Sequence, residues 1–152
     1  MNTQVTKHTR AAKWASCLVT VAALALAATP TYAQKVARPR GGPAGSWRVI
    51  GSTEAGFRAD HDTIVVVGPF DNFRRIKFKV TDAGLNLQHL VVTYDNGAPD
   101  KLEVRQNIPQ GGESRVIDLK GVGKRSIRRI DFWYDTKGIL KGKANVTVFG
   151  MK

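Results

Sequence analysis

Between residues 47 and 149, short apolar runs recur about every ten residues, separated by Gly, Asn, Asp and Pro. The runs are 47–51, 63–67, 74–80, 90–94, 101–105, 115–119, 127–134 and 144–149. β-Branched and aromatic side chains dominate them, and no window of a dozen residues places apolar positions at helical spacing. The pattern predicts a single all-β domain of about eight strands with almost no helix. Strands at this spacing form a two-sheet antiparallel β-sandwich, with the jelly roll among its variants.

Alternation assigns faces to the strands. Ile76, Phe78 and Val80 share one side of their run, and Arg75, Lys77 and Lys79 share the other. Ile130, Phe132 and Tyr134 are expected inward, with Arg129, Asp131 and Trp133 outward. Ala144, Val146 and Val148 alternate with Asn145, Thr147 and Phe149 in the same way. Residues 63–67 show no alternation, which fits burial on both sides or a crowded place at a sheet centre. Between Leu87 and Leu90 the apolar register passes from odd to even positions, and a bulge or a strand boundary near Gln88–His89 accounts for that shift. Asp95-Asn96-Gly97 opens a tight connection, and Gly111-Gly112 and Gly121-Val122-Gly123 punctuate the next two.

An internal echo runs through the pattern. Residues 73–96 laid on 127–150 without gaps give seven identities in 24 positions, among them Arg74-Arg75-Ile76 on Arg128-Arg129-Ile130 and Phe78 on Phe132. Chance coincidence within a small β alphabet is one reading, and a strand–loop–strand unit used twice is the other. If the units are equivalent, Arg75, Lys77, Lys79, Arg129 and Trp133 assemble one wet surface. Its cations suit phosphate, sulfate or carboxylate, and its indole suits stacking on a sugar ring or a base. The competing expectation is a solvated face made basic for solubility, with Trp133 packed under a loop.

The beginning of the chain has another character. Lys7, Arg10 and Lys13 precede an apolar stretch, 14–28, followed by Pro30 and the small-x-small site Thr31-Tyr32-Ala33. This is the order of a secretory signal peptide with cleavage near Ala33, and the stretch is shorter than the ~20 residues of a membrane span. Cys17 starts that stretch, where a lipid-attachment cysteine would end it. The expected organisation is therefore 1–33 signal peptide, 34–45 flexible basic linker rich in Pro and Gly, and 46–152 sandwich domain. The expected location is the periplasm or the exterior.

Charge and composition then limit the chemistry. The 152 residues carry 24 Lys and Arg against 12 Asp and Glu, and losing residues 1–33 leaves 21 basic and 12 acidic side chains with no cysteine. Disulfides and cysteine nucleophiles are excluded from the exported portion. No Gly-x-Ser-x-Gly elbow, zinc-protease motif or matched pair of acids stands out, so no catalytic residue, metal or cofactor is assigned. Asp60-His61-Asp62 offers a carboxylate–imidazole cluster without further ligands at a recognised spacing, and His89 reads as structural. The positive excess attracts polyanions, and export argues against nucleic acid as the natural target.

The stretches Trp47-Arg48-Val49-Ile50-Gly51, Phe73-Arg74-Arg75-Ile76, Ile108-Pro109-Gln110-Gly111-Gly112, Ser114-Arg115-Val116-Ile117-Asp118-Leu119 and Ile127-Arg128-Arg129-Ile130-Asp131-Phe132 together resemble a family of small exported bacterial proteins built on a domain of unknown function, of β-sandwich type. The resemblance implies a periplasmic or secreted sandwich, and it brings no activity, cofactor or catalytic residue. The reading is a non-catalytic binding or adaptor module contacting an anionic glycan or cell-envelope polymer, without a membrane span in the mature protein. Its rivals are an envelope hydrolase with an acidic or His61-centred site and an assembly subunit docking through sheet edges. Oligomeric state is not encoded in the pattern.

Overall fold

A computed structural model of the chain describes residues 34–56, 61–120, 125–135 and 143–152. The signal peptide of the sequence reading, Asp60 and the glycines at 121 and 123 lie outside the described residues. Regular structure among the described residues is entirely strand: β1 (Gln34–Ala37), β2 (Trp47–Ala55), β3 (His61–Val66), β4 (Arg75–Thr81), β5 (Leu85–Tyr94), β6 (Asp100–Ile108), β7 (Ile117–Asp118), β8 (Ile127–Asp135) and β9 (Ala144–Met151).

The strands form two sheets, ordered β1-β3-β8-β5-β6 and β2-β9-β4-β7. Setting β1 aside, β2 pairs with β9, β3 with β8, β4 with β7 and β5 with β6, all antiparallel. A long hairpin of eight strands wrapped around itself gives this set of pairs, with successive rungs falling in alternate sheets. Wrapping adds the contacts β4·β9 and β5·β8. The fold is therefore a two-sheet sandwich with jelly-roll strand order.

The inward rows meet as the alternation predicts. Ile76, Phe78 and Val80 of β4 and Ile130, Phe132 and Tyr134 of β8 are buried, and the Phe78 and Phe132 rings touch edge-on at 5.6 Å across the core. Each such side chain contributes about 1.5–3 kcal/mol on removal from water. Gly150 and Gly51 allow the layers to close. A Cβ on Gly150 would lie 2.5 Å from the Phe73 ring, and one on Gly51 would lie 2.6 Å from the Ala37 methyl.

The linker expectation changes at its first residues. Gln34–Ala37 pair in parallel with Thr63–Val66, Ala37 and Pro39 are buried, and the rest of the segment crosses the end of the sandwich to reach β2. A short β-compatible sequence gained a partner that its Pro- and Gly-rich continuation had hidden. β3 runs between β1 and β8, so it has the interior sheet position that its lack of alternation suggested. The stretch 115–119 shortens to two paired residues, and 90–94 lengthens backwards through a bulge to Leu85.

The echo survives as topology and fails in register. β4–β5 and β8–β9 are equivalent units, with β4 beside β9 and β5 beside β8. Phe78 faces Val148, so a gapless echo would set Phe132 against Tyr94, yet Phe132 faces Leu90.

Candidate functional site

The residues singled out from sequence divide between two outer faces. Arg75, Lys77 and Lys79 point outward from β4 in the four-stranded sheet, while Arg129 and Trp133 point outward from β8 in the five-stranded sheet. The core lies between them, so they form no common surface. Equivalence of the two units exchanges the sheets, and that exchange turns the two rows apart.

On the five-stranded face, ladder register sets side chains in rows. His61, Trp133 and His89 are directly opposite one another on β3, β8 and β5. A β-bulge at Gln88 brings His89 to this face, where an unbroken alternation would have turned it inward. Neighbouring strands are ~4.8 Å apart, which suits ring stacking along the row. His61 stacks on Trp133 at 4.3 Å and 10°, and His89 stacks on it at 4.5 Å and 11°. Both faces of the indole are thus covered by imidazoles, leaving no open π surface for a sugar.

In the next row, Asp131 accepts hydrogen bonds from Thr63 Oγ1 at 2.6 Å and Arg129 Nε at 2.7 Å, with His61 Nε2 at 3.4 Å. Asp131 is buried despite its outward position because these side chains fold over it. The charge of Arg129 is consequently met within the protein. His61 and Asp62, adjacent on a strand, point to opposite faces and cannot share a ligand. Asp62 enters the core, where burial pushes its carboxyl above the usual range against the lowering effect of the Tyr134 hydroxyl, which donates to Oδ2 at 3.0 Å.

The four-stranded face has a different composition. Trp47 and Val49 of β2, Phe149 and Met151 of β9 and Arg75 and Lys77 of β4 occupy adjoining rows. Lys77 Nζ lies 4.8 Å from the Trp47 ring centre and 5.8 Å from that of Phe149, and it pairs with Glu113 at 2.6 Å. Arg75 Nε pairs with Asp118 at 2.9 Å. Exposed pairs of this kind contribute about 0–1 kcal/mol and yield readily to a competing anion. Among the described residues no acid pairs with Lys79. The sequence reading placed Phe149 on the wet side without using it and missed Trp47; the available signal was an aromatic on an otherwise polar row.

Two cavities open at the end of the sandwich where this face begins. One of about 550 Å³ is lined by Arg38, Arg40, Arg48, Pro43, Val49 and Ile50 together with the two glycines that follow Arg40. The other, about 360 Å³, is lined by Gly45, Arg74, Arg75, Met151 and Lys152.

A separate knot serves structure. Tyr94 donates to Asp100 Oδ2 at 2.5 Å, the Lys120 amide donates to the same oxygen at 2.7 Å, and the Arg125 guanidinium lies 3.9 Å over the Tyr94 ring. Burial first, and then the bond to Asp100, push the Tyr94 phenol far above its ordinary range, so it remains a donor. Arg125 also donates to the Asn96, Ala98 and Lys120 carbonyls, fastening the β5–β6 turn to the connection before β8.

A family model described as a domain of unknown function, DUF2541, matches residues 17–150. The chain belongs to that family. No curated protein matches it. Among solved structures, AlgX of Pseudomonas aeruginosa, the subject of a structural and functional characterization, is similar with a TM-score of 0.47 at 12% identity. That likeness covers 68% of this chain, which spans only 26% of the AlgX chain.

Proposed function

We propose that this domain is a non-catalytic binding module of the periplasm or cell exterior that contacts an anionic glycan or envelope polymer. The contact surface is the outer face of the four-stranded sheet. The observation that carries the reading is the row Arg75, Lys77 and Lys79 on β4 beside Trp47 and Phe149, cations and aromatics together on one rigid sheet. A polymer with regularly spaced charges matches cations repeating every second residue, about 6.6 Å apart along the strand. Aromatic rings beside them favour sugar C–H surfaces over bare phosphate chains. Arg129 and Trp133 belong to the other face, where Asp131 and the two imidazoles already occupy them.

The test is retention of residues 34–152 on immobilised heparin, a stand-in anionic glycan, across a salt gradient. The double variant Arg75→Ala/Lys79→Ala is expected to elute at clearly lower salt, and Arg129→Ala close to wild type. Equal elution of the double variant and wild type would remove this face as the contact surface.

A further inference from the structure

We infer that the larger end cavity is a binding site for a monosaccharide-sized anion, a sugar bearing a carboxylate or a phosphate. The inference rests on the anionic-glycan reading above and adds to it a pocket that grips one unit of the glycan.

The segment 38–46 builds the cavity as it crosses from β1 to β2. Pro39 is buried, and alternation in this extended stretch turns Arg38 and Arg40 together to the opposite, exposed side. Gly41 and Gly42 bring the segment down onto its neighbours: a Cβ would meet the Phe70 ring at 3.1 Å from Gly41 and the Arg48 guanidinium at 2.5 Å from Gly42. Gly45, at φ 75°, makes the turn that returns the chain to β2. Arg48 fixes the loop from below, donating to the Pro43 carbonyl at 2.5 Å.

Most arginines elsewhere in the described residues are paired. Arg75, Arg105, Arg125, Arg128 and Arg129 each have an acid within ion-pair distance, while Arg115 donates to the Glu103 carbonyl and Arg74 lines the neighbouring cavity. Among the described residues, no acid reaches Arg38, Arg40 or Arg48, and the Arg48 Nε is buried without a hydrogen-bond partner. Three guanidinium groups around one cavity, with no internal counter-ion, leave a charge that an external anion can satisfy. Guanidinium forks pair best with carboxylate or phosphate oxygens. Pro43, Val49 and Ile50 supply an apolar wall, and about 550 Å³ admits a sugar ring as well as its charged group.

Titration of the mature protein by isothermal calorimetry with glucuronate, glucose 6-phosphate and neutral glucose tests the inference. At least one anionic sugar is expected to bind ten-fold or more tightly than glucose, and the two anions distinguish carboxylate from phosphate recognition. Arg38→Ala/Arg40→Ala, which removes only exposed side chains, is expected to weaken that binding at least ten-fold. Arg75→Ala/Lys79→Ala is expected to leave it within two-fold. Anionic sugars binding no better than glucose, or an unchanged affinity in the Arg38/Arg40 variant, would overturn the site. Heparin retention lost in the β4 variant alongside intact sugar binding separates the pocket from the sheet face, whereas retention lost in the β4 variant of a protein that prefers no anionic sugar leaves the face standing and overturns the pocket.

Discussion

Asp62 shows what one residue's position on a strand decides. Alternation sends it into the core while His61 turns out, so a sequence cluster that looked like a ligand pair becomes two unrelated environments. Its Oδ2 is met by Tyr134, but Oδ1 is buried without a hydrogen bond. Burial holds this carboxyl above its ordinary 3.8, so the folded chain binds a proton that the unfolded chain has already released. The native state is therefore favoured most below that value and loses ground as pH rises through the folded value. Asp62→Asn, which keeps an acceptor for Tyr134, is expected to raise the melting temperature more at pH 7 than at pH 4. A larger gain at pH 4 would show that the carboxylate stabilises the fold. At this scale the sequence revealed outward Arg129 and Trp133, because alternation is local. It could not reveal that two histidines would cover Trp133, because they come from strands 44 and 72 positions away, although Asp131, two residues from Arg129 on the same row, was in view.

At the scale of elements, the bulge in β5 was legible and the one in β2 was not. The first moves the apolar rhythm visibly past Gln88, whereas the second falls among Val49, Ile50 and Gly51, where apolar residues are continuous and no shift can be seen. β1 was hidden for a comparable reason: four residues before a Pro- and Gly-rich stretch carry little signal, and pairing with β3 alone makes them a strand. Glycine in a strand interior ordinarily weakens it, and Gly150 is retained where the Phe73 ring and Ile50 leave no room for a methyl. Gly150→Ala is expected to cost about 1–3 kcal/mol in urea unfolding with the slope unchanged. A neutral result would mean that β9 shifts to admit the methyl.

For the whole molecule, the sandwich was legible because eight evenly spaced strands in one short domain have few ways to hide their apolar sides. The cationic end was not, since it depends on a crossing segment whose composition reads as coil. Strand order also carries a kinetic consequence. β2 has its ladder on β9, β4 lies between β9 and β7, and β3 has its antiparallel partner in β8. The β2–β9 pairs that close the four-stranded sheet are 89 to 104 positions apart, which places refolding in the millisecond-to-second range typical of non-local β folds. A chain ending at residue 140 still has the β5–β6 hairpin but lacks the central strand of one sheet. It is expected to be digested by protease at the rate of an unfolded chain, and protection like that of the complete domain would contradict this. During synthesis, then, the polypeptide can be threaded end first through a narrow channel, and it locks only after its last strand has emerged.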